Sequence, residues 1–382
     1  MKFKVAADEL SSIAKVCVRG LNSKDPHSQS VLKLSEDKTK LYIFCTTQKT
    51  YFKGYVDVYD IEEGEDDKVT EWSVDGNQLK TILSILPSTA SIPVEFNMEN
   101  SARNFIIKVT GNKIKLPVYD VISPYKEEKQ EKIAVLPAND FISRLTSIGK
   151  LVSTDVDDEN TPLSCIHVIF DKDKIKLMGT NGYSIAEEQI DYKLEGTEDT
   201  ILIPVDQIQL LSRVFEGSED IVLIQTDTKI GYIDEKGIVS LVSKSSLSAI
   251  SYESTKSRVS DNRTVTVNSV DFKQAVSALS KLAPKGEKVY VNVLNDKLSL
   301  TNVNDDVMNI EIIESNSPED EITFTIKSLI NIENLFTDKI RIGWADETVG
   351  RLVQFSTYKT NDDDTEEIDS NVFIGVLIDA DE

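Results

Sequence analysis

The sequence predicts an α+β protein built as three tandem copies of one domain, each with two helices laid on antiparallel sheet. Three observations carry this. A strand-then-helix device recurs at a constant interval. A second helix start recurs midway through each interval. Between them lie short β-branched and aromatic runs bounded by Asp, Asn, Gly or Lys.

The first device opens the chain. Phe3 and Val5 alternate with Lys, as in a half-buried strand, and Asp8-Glu9-Leu10 starts a helical period through Ile13, Ala14, Cys17 and Val18. It returns at Ile133, Val135 and Asp140-Phe141, followed by Ile142, Leu145 and Ile148. It returns again at Val265, Val267 and Asp271-Phe272, followed by Ala275, Val276 and Leu279. Leu10 to Phe141 and Phe141 to Phe272 are each 131 positions.

The second device is Trp72-Ser73-Val74-Asp75 before Leu79, Ile82, Leu83 and Leu86. Its counterparts are Ile203-Pro204-Val205-Asp206 before Ile208, Leu211, Val214 and Phe215, and Phe324-Thr325-Ile326-Lys327 before Leu329, Ile332 and Phe336. An Asp in the first turn suits a helix N-terminus, where free N–H groups and the helix dipole favour negative charge. Six helices are therefore expected at 8–20, 75–86, 140–150, 206–215, 271–283 and 327–336.

Strands are expected at Leu41–Phe44, Ile106–Val109, Ile166–Phe170, Ile221–Ile224, Val289–Val293 and Leu298–Leu300. Each unit reads β-α-β-β-β-α-β-β-β. Polar linkers at Ser123–Glu131 and Ser251–Asn262 give domains at 1–124, 131–254 and 263–382. Two acidic stretches, Ile61–Asp67 and Asn361–Ser370, read as solvated loops.

Composition excludes several classes. A net charge of −23 argues against a conventional basic nucleic-acid or membrane binder, and 40% hydrophobic residues against a disordered acidic chain. Three widely separated cysteines, Cys17, Cys45 and Cys165, fit neither a disulfide framework nor a zinc knuckle. With no signal-like N-terminus and no long apolar run, a cytoplasmic protein without a membrane partner is expected. No phosphate loop, dinucleotide fingerprint, nucleophile elbow or zinc-protease motif occurs. Of the two histidines, His27 and His167, neither sits in a catalytic motif, and His167 lies in an apolar strand where a structural role is expected. Asp155–Asn160 faintly suggests a calcium loop but lacks the required Gly and Glu. The chain is expected to be no enzyme, with no cofactor and no metal.

The scarce positive charge is not spread evenly. The six helices carry Lys15, Arg19, Lys80, Arg144, Lys150, Arg213, Lys273, Lys281 and Lys327, and beyond their first turns only Glu333 opposes them. Surface helices often carry Lys and Arg, but Glu is as good a helix former and is nearly absent here. The pattern predicts helices turned toward a shared polyanion, contacting phosphates without sequence preference.

Three tandem α+β repeats, basic helices in an acidic chain and no catalytic motif resemble the bacterial-type DNA sliding clamp, the β subunit of DNA polymerase III holoenzyme. The resemblance spans the whole chain. It includes Met1-Lys2-Phe3, Val5 and Leu10, and Gly179-Thr180-Asn181-Gly182-Tyr183-Ser184-Ile185-Ala186, which is similar to the family's A-T-D-G-[HY]-R-L-A stretch. It also includes Pro204, Ser243-Lys244, Tyr252 and Phe272-Lys273-Gln274-Ala275.

The resemblance implies the DNA clamp fold and a head-to-tail homodimer closing a ring around duplex DNA, a processivity factor in DNA replication. A DNA polymerase and a clamp loader are the implied protein partners. It implies closure between edge strands of the first and third domains, expected near Asn104–Val109 and Lys297–Thr301. Lys24 falls where the family has a DNA-contacting Arg. A peptide pocket is implied at Leu163, Thr180, Gly182, Tyr183 and Ile185, completed by Ile374, Val376 and Leu377. Here the chain departs from the family, since Ser184 replaces the usual Arg and the C-terminus lacks the Met-Pro-Met-Arg-Leu-like tail. The competing reading of the residues is an acidic interaction scaffold or DNA mimic that does not encircle DNA.

Overall fold

A computed structural model of the chain describes all residues except 22–28, 63–68, 87–90, 100–102, 120–128, 153–160, 183, 193–198, 213–217, 253–262, 284–286, 295, 318, 333–337, 345–351, 361–365 and 376–382. The first repeat runs β1 (Lys2–Ala6), α1 (Ala7–Cys17), β2 (Gln29–Leu34), β3 (Lys40–Thr46), β4 (Thr50–Asp57), β5 (Tyr59–Glu62), β6 (Glu71–Val74), α2 (Gly76–Ser84), β7 (Pro93–Glu99), β8 (Asn104–Val109) and β9 (Asn112–Tyr119). The second runs β10 (Glu131–Pro137), α3 (Ala138–Leu151), β11 (Cys165–Phe170), β12 (Lys174–Thr180), β13 (Ser184–Asp191), β14 (Asp199–Pro204), α4 (Val205–Leu211), β15 (Asp220–Gln225), β16 (Lys229–Asp234) and β17 (Val239–Ser243). The third runs β18 (Arg263–Asn268), α5 (Ser269–Leu282), β19 (Lys288–Leu294), β20 (Lys297–Asn302), β21 (Val307–Ser315), β22 (Asp320–Thr325), α6 (Ile326–Ile332), β23 (Lys339–Trp344), β24 (Leu352–Thr360) and β25 (Glu366–Gly375).

Every expected helix forms, with small differences at its ends. The first is α-helical only to Cys17 and tightens into a 3-10 turn over Val18–Gly20. Asp75 lies outside α2 as its cap, its Oδ1 accepting from the Gln78 N–H at 2.8 Å. Asn268 caps α5 in the same way through Val270 N–H. The second and third repeats each have one strand more between their helices than the pattern suggests, β14 and β22, and the first has two, β5 and β6. Of these, β6, β14 and β22 run straight into a helix, so their apolar residues read as its approach. The acidic stretch 361–370 is not all loop, because β25 begins at Glu366 and pairs with β24 from Thr360 onward.

The chain forms two compact units. One comprises Met1–Ile142 and Asp206–Lys244, the other Ser143–Val205 and Ser245–Glu382. The first holds a 13-stranded sheet in the order β10-β15-β16-β17-β4-β3-β2-β6-β9-β8-β7-β1-β5. The second holds a 12-stranded sheet ordered β14-β11-β12-β13-β25-β24-β23-β18-β21-β20-β19-β22. The middle repeat is therefore divided: β10 and β15–β17 extend the first repeat's sheet, and β11–β14 extend the third's.

The core of the first unit packs α1 and α2 on the sheet around Phe3, Phe96, Phe105 and Trp72, with the Trp72 and Phe105 ring centroids 4.8 Å apart. Gly54 on β4 lets α1 lie close, since a Cβ there would meet Ile13 and Cys17. In the second unit Phe272 of α5 and Phe324 of β22 both pack on Phe355 of β24, at centroid distances of 5.9 and 5.8 Å. Cys17, Cys45 and Cys165 are buried. Burial pushes the Cys45 thiol up to about 12 and raises Cys17 as well, so neither is a thiolate near neutrality.

The expected closure edges are corrected. The strand over Asn104–Val109 is β8, paired along its whole length with β7 and β9. The strand over Lys297–Thr301 is β20, paired with β19 and β21. Three successive buried residues in β8, Phe105, Ile106 and Ile107, are the mark of a strand covered on both faces and sides rather than an edge.

Candidate nucleic-acid interface and peptide pocket

On α1 the buried face is Leu10, Ile13, Ala14 and Cys17, which leaves Lys15 exposed, with Arg19 half-buried in the 3-10 turn that follows. On α2 Leu79, Ile82 and Leu83 are buried and Lys80 is exposed. The two helices pack against each other within the first unit. In the second unit α5 buries Phe272, Ala275, Val276 and Leu279, exposing Lys281 and half-burying Lys273. It packs on α6, where Lys327 is exposed. Lys150 is exposed in the last turn of α3. Lys24 and Arg213 lie outside the described residues.

Arg144 is placed differently. Its Nη2 donates to Asp369 Oδ1 at 2.8 Å, and its Nη1 lies 3.6 Å from Glu188 Oε2. Only 17% of the side chain is exposed, against 6% for Glu188 and 15% for Asp369. One guanidinium from α3 thus holds both β13 and β25, the two strands that join repeats two and three. Sequence spacing could not reveal this, because Asp369 is 225 positions away.

Of the pocket residues, Thr180, Gly182 and Ile185 come together at the β12–β13 turn. Thr180 Oγ1 donates to the Ser184 carbonyl at 2.8 Å and accepts from Gly182 N–H at 3.1 Å. Asn181 Oδ1 accepts from Ser184 N–H at 2.8 Å. Gly182 adopts φ +86°, a left-handed conformation that favours glycine. Leu163 is half-buried in a 3-10 turn, Pro162–Ser164, that packs on β11 and β12. Ile374 reaches the turn through its backbone, paired with Ser184. Tyr183, Val376 and Leu377 lie outside the described residues.

Sequence reasoning missed the floor beneath this turn. Met178, Ile185 and Tyr252 form a buried apolar cluster, with Ile169 packed against it. His167 adjoins it, its ring 5.3 Å from that of Tyr252 and its Nε2 3.4 Å from the Tyr252 hydroxyl and 3.3 Å from the Pro162 carbonyl. The carbonyl can only accept, so that contact requires the proton on Nε2. Burial holds the imidazole below its ordinary value and raises Tyr252 to about 12. The available signal was a lone His among β-branched neighbours, with Tyr252 at the start of the second linker.

Among the described residues no group of His, Cys, Asp and Glu could hold a metal ion, and no helix is long and apolar enough to cross a membrane. The segment Asp155–Asn160 lies outside them.

No family model and no curated protein sequence matches the chain. Solved structures match it over nearly its whole length. The DNA polymerase III subunit beta of Pseudomonas aeruginosa superposes with a TM-score of 0.80 at 16% identity, covering 99% of this chain and 100% of that one. A DNA polymerase sliding clamp from Caulobacter crescentus gives 0.79 at 15% identity, covering 99% and 100%. A further Pseudomonas aeruginosa sliding clamp, bound to griselimycin, gives 0.80 at 16% identity with 99% of each chain covered. Three repeats, with six α-helices and two shared sheets among the described residues, therefore assemble into the fold of the DNA polymerase III β sliding clamp, far from those relatives in sequence.

Proposed function

We propose that the chain is a DNA sliding clamp: three domains, 1–124, 131–254 and 263–382, which in two head-to-tail copies encircle duplex DNA and tether a polymerase. One observation carries this reading. The strand following the first hairpin of one repeat pairs with the last strand of the next repeat, and this happens twice. Thr50–Lys53 of β4 pair with Val239–Val242 of β17, and Ser184–Glu188 of β13 pair with Ser370–Ile374 of β25. The third counterparts of these strands are β21 and β9.

Among the described residues, β9 has β8 on one side and meets β6 only through Val118 and Tyr119. Likewise β21 has β20 beside Val307–Glu311 and meets β18 only near its end. A chain that joins such strands twice internally and leaves the third pair open is built to complete it with another copy. That is a heterologous contact, which closes a ring when the rotation permits. The two edges are also complementary. Lys113, Lys115 and Pro117 on β9 discourage indiscriminate strand pairing, and Glu311 on the open part of β21, with Glu314 just beyond it where β18 pairs, supplies the opposite charge.

The clamp acts without chemistry of its own. Affinity for DNA comes from topology and from phosphate contacts by Lys15, Lys80, Lys150, Lys281 and Lys327, with Arg19 and Lys273 beside them. The net charge of −23 disfavours DNA over most of the outside, and the lysine-bearing helices offer it an attractive surface. A clamp loader opens the ring, and partner peptides insert at the Thr180–Ile185 turn. The DNA-mimic reading is disfavoured because the helix lysines are exposed and would be superfluous to it.

The test has two parts. Sedimentation equilibrium at micromolar concentration should give twice the chain mass of 42.7 kDa. Loaded protein should stay on a nicked circular plasmid and leave when the plasmid is cut. A stable monomer, or retention unchanged by cutting, refutes the clamp.

A further inference from the structure

Among the described residues, strand register shifts at two places in the second unit, beside Ile313 of β21 and at Tyr358 of β24, and both border one cavity. The cavity, of about 430 Å3, lies on the third repeat's sheet where β21, β18, β23 and β24 run side by side. Alternation turns Val265, Val267, Ile340 and Ile342 into the core, so Thr264, Thr266, Lys339 and Arg341 face the other way. Thr266 has Glu314 and Arg341 as its direct partners on either side.

In a regular strand only every second side chain would line such a cavity. Here two consecutive pairs do, Ile313 with Glu314 and Asp338 with Lys339. The register slips between Thr266 and Val267, which leaves Ile313 as an extra residue and turns it to the face of Glu314. Asp338 adopts φ +38°, in the left-handed region, just before β23 begins. Bulges and left-handed residues other than glycine are locally unfavourable, and both concentrate beside ligand sites. Here they aim side chains into the same space.

Glu314, Asp338 and Lys339 are exposed, and none of them forms an ion pair with another described residue. Arg341 is already engaged, donating from Nη1 to the Tyr358 hydroxyl at 3.3 Å among its contacts, and serves as a wall. Ile313, 52% exposed, is the apolar side. A lone anion would meet two carboxylates here, and a lone cation would meet Lys339 and Arg341. A molecule carrying both charges satisfies both, and the volume falls in the range of small-molecule sites.

We propose that this cavity binds a small zwitterion with an apolar side chain, an α-amino acid. Its carboxylate meets Lys339 with the Thr266 hydroxyl beside it, and its ammonium meets Asp338 and Glu314. Its side chain lies between Ile313 and Tyr358. The cavity stands beside β18, beyond the open stretch Val307–Glu311 of β21, so it is separate from the ring-closing edge.

The probe is L-phenylalanine, titrated calorimetrically into the intact protein. Phenethylamine lacks the carboxylate and 3-phenylpropionate lacks the ammonium, and each should bind about tenfold more weakly. Lys339→Gln and Asp338→Asn should each weaken L-phenylalanine about tenfold at unchanged melting temperature, since Asn also tolerates the left-handed conformation. If Asp338→Asn alters the fold, Glu314→Gln takes its place. The proposal is overturned if L-phenylalanine does not bind or if either single-charge analogue binds as tightly. Unchanged binding in Lys339→Gln, or in the acid variant, overturns it as well.

Discussion

Arg144 of α3 and Asp369 of β25 meet at 2.8 Å across 225 positions of sequence, with Glu188 of β13 as the second acid. The pair spans the strand junction between the middle and third repeats. Removing one member of a buried ion pair strands the other charges, which costs about 3–5 kcal/mol. Arg144→Ala is expected to destabilise the second unit by roughly 3 kcal/mol, read by chemical denaturation. Removing all three charges together should cost less than Arg144→Ala alone. Equal or greater loss in the triple variant would mean that the pairs themselves, rather than their compensation, hold the junction.

The open strands make an electrostatic prediction. Lys113→Glu with Lys115→Glu should weaken self-association, and Glu311→Lys with Glu314→Lys on the opposite edge should do likewise. Exposed charge pairs are each worth about 0.2–1 kcal/mol, so each double reversal should raise the dissociation constant about tenfold. Mixing the two reversed proteins restores opposite charge at both junctions of the mixed dimer, one native and one swapped, and should recover association. A chain carrying all four reversals restores both and should associate like the wild type. Failure of that rescue, measured by sedimentation, would place the contact elsewhere.

The helix lysines should act through phosphate alone. Lys15→Ala, Lys80→Ala, Lys150→Ala, Lys281→Ala and Lys327→Ala remove exposed charges and should each change folding stability by no more than about 0.5 kcal/mol. For each lysine that contacts duplex DNA, the slope of log affinity against log salt should fall by roughly 0.9. Binding should weaken uniformly across sequences. Arg144→Ala belongs outside this series, because its effect on DNA would arrive through stability.

Much of this architecture was legible because it is repeated. The 131-position interval between Leu10, Phe141 and Phe272 located all three first helices, and Asp75 marked a true cap. Local sequence carries propensity and periodicity, so it finds elements. It does not say which neighbour an element meets. Ile106-Ile107 read as an available strand, yet both its sides are filled, while the less apolar β9 is the one left open. Arg144 read as a free cation for the same reason: its acids arrive from β13 and β25 only once the sheet forms. His167 was visible as a lone His in an apolar strand, but Tyr252 and Pro162 had to be folded against it before its role appeared.

His167 supplies a pH dependence whose sign is fixed. Its folded value is lowered below 6.5, first by burial, with the Pro162 carbonyl opposing weakly. Below 6.5 the unfolded chain therefore holds a proton that the folded chain does not, and stability rises with pH across that interval. The contribution is complete above about 6.5, the ordinary imidazole value, and is lost as pH falls toward the folded value. Acidification should loosen the contact with Tyr252 and with it the floor beneath Ile185. His167→Gln keeps a donor for the Pro162 carbonyl but cannot titrate. The stability difference between wild type and His167→Gln, measured by urea denaturation from pH 7.5 to 5.5, should shrink or reverse toward the acidic end. A difference independent of pH would show that the imidazole takes up its proton over the same pH range in the folded and unfolded states, and would remove His167 as the source.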